Sequence, residues 1–203
     1  MAAPSSNATL QLPVDRVALA GLVWLGSVWL GAPALTWLDS SELTAAGVVL
    51  GVPHAPGHPL YVLLAHIASL IPVGTAAFRV ALLSGLCAAA AAWFTADLVD
   101  ELSWDKGSRT NRTVAGVSVA LILCASTAIW QQAVRAEVYT LHLALMLWAT
   151  RDALRWRRDA SERRHARLAT VALIMGLGCA NHHLLTLLHL PALLVLLMAR
   201  PPE

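Results

Sequence analysis

Apolar positions run along this chain in long stretches without a charged side chain: Val17 to Leu38, Leu43 to Phe78, Val80 to Ala96, Thr113 to Val134 and Leu168 to Ala199, of 22, 36, 17, 22 and 32 residues. A helix rises about 1.5 Å per residue, so about 20 such residues cross a hydrocarbon core of about 30 Å. The pattern predicts an all-α integral membrane protein, a polytopic helical bundle of about six membrane helices plus one short interfacial helix. Residues 1–15 form a polar, proline-containing tail. The membrane domain is expected over 16–200, with helices at 16–37, 76–99, 113–133, 137–155, 168–180 and 183–199.

Two stretches do not fit a simple crossing. Asp39 to Thr75 is punctuated by Gly47, Gly51, Pro53, Pro56, Gly57, Pro59, Pro72 and Gly74, which forbid one continuous helix. Between the breakers, Leu60–Ile71 leaves about 18 Å of helix, too short to span, and is expected at the interface. The run Leu168–Ala199 would measure about 48 Å as one helix. The polar triplet Asn181-His182-His183 divides it, favouring two short helices that meet at a break.

Composition agrees with this picture. The chain has 203 residues, 58% hydrophobic and 13% charged, about half the charged share of an average soluble domain. A net charge of +2 gives no basic patch and argues against a nucleic-acid partner. Cys87, Cys124 and Cys179 sit in separate apolar runs without paired spacing, so they read as small core residues. Charge sorting orients the chain. With a cytoplasmic N-terminus, 12 of the 14 basic residues fall inside, and only Arg79 and Arg135 fall outside. The inner arginines read as topology determinants on a solvated face. Trp37, Trp104 and Trp156 read as boundary residues.

The outer side then collects Asp39, Glu42, His54, His58, Arg79, Arg135, Glu137, Tyr139, His142, Asn181, His182 and His183. Polar groups converging at one membrane face suggest a site on the periplasmic, extracytoplasmic side. His66, His142 and His189, on otherwise apolar helices, read as packing residues. His54 and His58 have the i, i+4 spacing of a metal pair, but Pro56 and Pro59 exclude the helix that would aim both at one ion. Two carboxylates and several histidines are able to hold a divalent metal, although no spacing requires it.

Five blocks occur in order: Asp39-Ser40-Ser41-Glu42-Leu43, His54-Ala55-Pro56-Gly57-His58-Pro59-Leu60-Tyr61, Arg79-Val80-Ala81-Leu82-Leu83-Ser84, Trp130 through Leu141, and Gly176 through His183. In this the chain resembles the domain-of-unknown-function 2723 family, whose animal members are transmembrane-protein-260-type protein O-mannosyltransferases with a GT-C glycosyltransferase fold. Ser41, Ala55 and Ala81 depart from the usual Gly, Pro and Asn, while the acidic, histidine and arginine positions match. The resemblance implies the N-terminal part of a GT-C fold and a hexose, such as mannose, transferred from a polyprenyl-phosphate donor to a protein or glycan hydroxyl. It further implies Asp39 as base, with Glu42 second, and Arg79 and Arg135 as phosphate clamps. Glu137 would orient Arg135, and His54, His58, Asn181, His182 and His183 would contact the donor head or sugar. Family members are longer, so the alternative is a non-catalytic membrane subunit whose fold a partner chain completes. A small transporter would need a polar path through the membrane, which the bland inner halves of the helices do not offer.

Overall fold

Small side chains make α4 (Ala76–Leu102) the axis of the bundle. Ala88, Ala89, Ala92 and Ala96 are buried along it, and this low relief lets neighbouring backbones approach. A Cβ added to Gly85 would fall 2.1 Å from Ser27 Oγ, and one on Gly116 would fall 3.0 Å from the Ala96 carbonyl. These close approaches seat α1 (Val14–Leu30) and α5 (Arg109–Ala125) against α4. Thr75 caps α4 by accepting from the Phe78 N–H. The computed structural model describes residues 13–35, 39–103, 108–159, 161 and 163–199. Most of the expected tail and the boundary residues Trp37 and Trp104 lie outside them.

On the other side of α4 pack α7 (Tyr139–Arg158) and, beyond it, α8 (Arg163–Met198). A core of Leu43, Tyr61, Val80, Leu141, Leu145 and Ile174 joins these helices to α3 (Pro59–Ser69) and to α2 (Asp39–Val49). α2 was not among the expected helices. Its only internal breaker is Gly47, which gains from lacking a side chain: a Cβ there would stand 2.7 Å from that of Ala65 on α3. Asp39 and Glu42 in its first turn complement the helix dipole. Asp39 therefore begins a helix, where the sequence suggested a loop.

The expected helix at 113–133 is two helices, α5 and α6 (Thr127–Ala133), bent by 74°. Ser126 adopts extended backbone at the joint, and its hydroxyl donates to the Leu123 carbonyl at 2.6 Å, an alternative to continuing the helix. Helix one ends at Leu30, and the described residues 31–35 are not helical.

Residues 163–198 are helical except at His182, whose φ of −155° and ψ of 88° interrupt the run. In a straight helix Gly178 and Thr186 would stand about 12 Å apart. A Cβ on Gly178 would instead lie 2.9 Å from Thr186 Oγ1, and Val171 and Leu193 share a core with Ala153. The run thus doubles back at residues 181–183 into a hairpin whose two ends lie together.

By length and composition, α4 is long and apolar enough to cross a bilayer, α8 is so only when the two arms of its hairpin are counted as one run, and the bent α5–α6 pair is so only if it forms one span. This falls short of six. The described part of α1 has 17 residues, about 26 Å, and α7 carries Arg151, Asp152, Arg155, Arg157 and Arg158 in its second half. Large apolar side chains nevertheless face outward around the bundle, among them Trp29, Ile122, Leu188 and Val195. Such a surface suits lipid and not water.

One end of the bundle is a web of ion pairs. Arg16, 2% exposed, bonds Asp15, Asp97 and Asp100, and Asp97 also faces Arg151 at 3.1 Å and Arg155 at 3.5 Å. Glu101 receives Arg155 and Arg158. The expectation of inner arginines on a solvated face is corrected here, because helix-borne acids on α4 draw several of them into a shared, half-buried network.

Candidate functional site

The opposite end of the bundle holds a cleft of about 220 Å³ lined by Asp39, Leu43, His54, Ala55, Pro56, His58, Glu137, Val138, Tyr139, His182 and Leu184. Four segments far apart in the chain supply it: the first turn of α2, the histidine–proline loop, the start of α7 and the tip of the α8 hairpin.

The loop is clasped to α2 by one residue. His54 donates its backbone N–H to Glu42 Oε1 at 2.7 Å, and its Nδ1 lies 2.8 Å from Glu42 Oε2. A carboxylate only accepts, so the ring proton sits on Nδ1. The pairing with His54 holds the Glu42 carboxyl below its ordinary range, and Glu42 in turn pushes His54 up. His54 Nε2 faces Asp39 Oδ2 at 3.9 Å.

His58 is 2% exposed and lies in the left-handed region at φ 45°, a conformation costly for a residue with a side chain. Two things hold it. Pro59 opens α3 immediately after it, and its Nδ1 is 2.7 Å from the carbonyl of Asn181. Breaking α8 at His182 frees that carbonyl, and the imidazole satisfies it. Asn181, fully buried, donates through Nδ2 to the Val138 carbonyl at 3.1 Å. The hairpin tip is thereby tied to both the loop and the start of α7. The rings of His54, His58 and His182 follow one another at 5.5 and 5.3 Å between centroids.

Glu137 is 2% exposed and faces Arg135 at 3.2 Å. Burial raises its pKa, partly offset by Arg135. Its backbone is pinned by Ser84, which accepts from the Glu137 N–H at 3.1 Å and donates to its carbonyl at 3.2 Å, with the Tyr61 hydroxyl at 3.3 Å. Ser84→Ala leaves these buried groups unpaired and is expected to destabilise the protein by roughly 1–3 kcal/mol. Thermal unfolding of detergent-purified protein checks this.

Of the residues named from the sequence, Asp39, Glu42, His54, His58, Glu137, Asn181 and His182 come together here. Arg135 reaches the cleft through Glu137. Arg79 does not, since its guanidinium donates to the carbonyls of Ser69 and Gly74 and ties down the turn before α4. His183 is exposed and outside the lining. Sequence reasoning gave no role to Ser84 and Tyr61 in supporting the site. Both stand inside the five blocks, but nothing in their spacing connects position 84 to position 137.

Among the described residues, an all-helical bundle with an apolar outer surface and an acid–histidine cleft at one end defines the class, a helical membrane protein. The chain belongs to the family described as the protein O-mannosyl-transferase TMEM260 N-terminal domain, whose profile matches residues 39–203. It is 34% identical over 151 residues to the mouse (Mus musculus) protein O-mannosyl-transferase TMEM260. That alignment covers 73% of this chain and 20% of the mouse protein, so the chain spans about a fifth of that relative. No solved structure matches the chain.

Proposed function

We propose that this chain carries the acidic centre of a membrane mannosyltransferase of GT-C type. It would move a hexose, mannose by analogy with the relative, from a polyprenyl-phosphate donor to a hydroxyl of a protein or glycan acceptor on the extracytoplasmic side. The observation that carries this reading is the cleft itself, where Asp39 opens α2 beside the histidine loop within a matched family segment that begins at the same residue.

In the transfer, the bond from the sugar anomeric carbon to the phosphate oxygen breaks, and its electron pair leaves on phosphate. The acceptor oxygen bonds that carbon and gives its proton to Asp39. General-base help matters because the sugar carbon becomes positive as the old bond lengthens. His58, with Nδ1 committed to a carbonyl, keeps Nε2 as an acceptor for a sugar hydroxyl. Glu137 holds Arg135 beside the cleft, where a guanidinium suits phosphate. The distribution of arginine supports an orientation with the basic end toward the cytoplasm.

A second reading is favoured by the length relation. The chain spans about a fifth of its relative, which supports reading it as a non-catalytic membrane subunit whose fold a partner chain completes. The test is transfer of radiolabelled mannose from polyprenyl-phosphate mannose to a hydroxyl-bearing peptide, in nanodiscs, with and without the further sequence of the family. Transfer by either form, lost without the lipid-linked donor, is the expected result. No transfer by the complete assembly would overturn the proposal.

A further inference from the structure

The site is short of positive charge for the phosphate that the proposed reaction releases. Asp39, Glu42 and Glu137 bring three carboxylates to the cleft or its rim. Against them stands Arg135, already facing Glu137 at 3.2 Å, while Arg79 is spent on the carbonyls of Ser69 and Gly74. An anionic donor brought to this place meets net negative charge unless a cation comes with it.

We infer that Asp39 and His54, with Glu42 behind the imidazole, hold a divalent cation that receives the donor phosphate. One ligand atom from each of the three lies within 4.8 Å of the others. His54 Nε2 and Asp39 Oδ2 are 3.9 Å apart, too far for a hydrogen bond. Two ligands each about 2.1 Å from one ion stand at most about 4.2 Å apart, so this gap has the span of a shared ion. His54 is also prepared for ligation: Glu42 takes its Nδ1 proton, which fixes the tautomer whose Nε2 lone pair faces Asp39. A carboxylate holding the far nitrogen is the usual support of a metal-bound imidazole.

A carboxylate and an imidazole, the latter backed by a second carboxylate, suit a hard or borderline ion such as magnesium or manganese, which keeps open positions for water and phosphate oxygens. Asp39 can ligate through Oδ2 and take the acceptor proton on its other oxygen. The ion lowers its basicity but stabilises the departing phosphate, and a transition state with a nearly dissociated sugar carbon gains more from the second effect.

The inference rests on the transferase reading for its purpose, but its test does not. Mn²⁺ binding to the intact protein in nanodiscs is read from loss of the free-ion electron paramagnetic resonance signal, with no sugar donor present. A single bound Mn²⁺ is expected. Asp39→Asn and His54→Ala should each lose it, Glu42→Gln should weaken it roughly 10- to 100-fold, and Asp159→Asn at the opposite end should leave it unchanged. Absence of bound Mn²⁺ in the unaltered protein overturns the inference without reference to any variant. So does binding by monodisperse Asp39→Asn equal to that of the unaltered protein. Mn²⁺ binding with no sugar transfer under any condition would sink the transferase reading and leave the metal site standing. Transfer undiminished by EDTA would do the reverse.

Discussion

Asp39→Asn is expected to lower mannose transfer by roughly 10²- to 10⁴-fold, the range a positioned general base contributes. The exchange keeps size and shape while removing the group proposed to take the acceptor proton. Half of the Asp39 side chain is exposed to the cleft, and its ring neighbour His54 is held by Glu42, so the clasp between loop and α2 survives the change. Thermal stability should therefore stay near that of the unaltered protein while turnover collapses. Equal turnover by the two proteins, measured as radiolabelled product per unit time, would remove Asp39 from the mechanism.

At the opposite end, Asp97→Ala should cost stability and not chemistry. Asp97 accepts from Arg16 on α1 and from Arg151 and Arg155 on α7, so one carboxylate on α4 ties three helices. Its side chain is 14% exposed and that of Arg16 3%, which leaves little water to take over the abandoned charges. Arg16 keeps Asp15 and Asp100, Arg151 keeps Asp152 and Arg155 keeps Glu101, so the loss should be roughly 1–3 kcal/mol, below that of an isolated buried pair. Asp97→Asn, which keeps one of the two acceptor oxygens, should cost less. Both variants are read by thermal unfolding in detergent, with the loss for Ala exceeding that for Asn.

Periodicity and charge sorting carried the reading of the chain a long way, for physical reasons that name their own limits. Charge-free runs marked α4 because a helix that crosses a bilayer must be apolar over its spanning part. The polar triplet at 181–183 marked the interruption of α8 because three such residues are costly inside a lipid-facing helix. The bend at Ser126 escaped notice because one serine is common inside helices, and its hydroxyl decides the matter only where tertiary packing rewards the turn. α2 escaped because the density of glycine and proline just after it masked eleven residues with a sound helical start. In the site, Asp39, His54 and His58 were legible because charge is scarce near lipid. Arg79 matched the blocks equally well, yet its partners are backbone carbonyls, which leave no trace in residue identity. The arginines expected on a solvated face misled in the same way, because the acids that recruit them depend on which face of α4 they share.

The turn in α8 separates two quantities that are usually measured together. Straightening that hairpin would add a single residue to the helical content, so far-ultraviolet circular dichroism would barely register it. It would also carry the Asn181 carbonyl away from His58 and the Nδ2 amide away from Val138, dismantling two walls of the cleft. Helicity is thus a poor proxy for competence in this protein. A detergent that preserves every helix can still yield an inert sample, and the state of the histidine rings, visible to nitrogen magnetic resonance, is the better measure of an intact preparation.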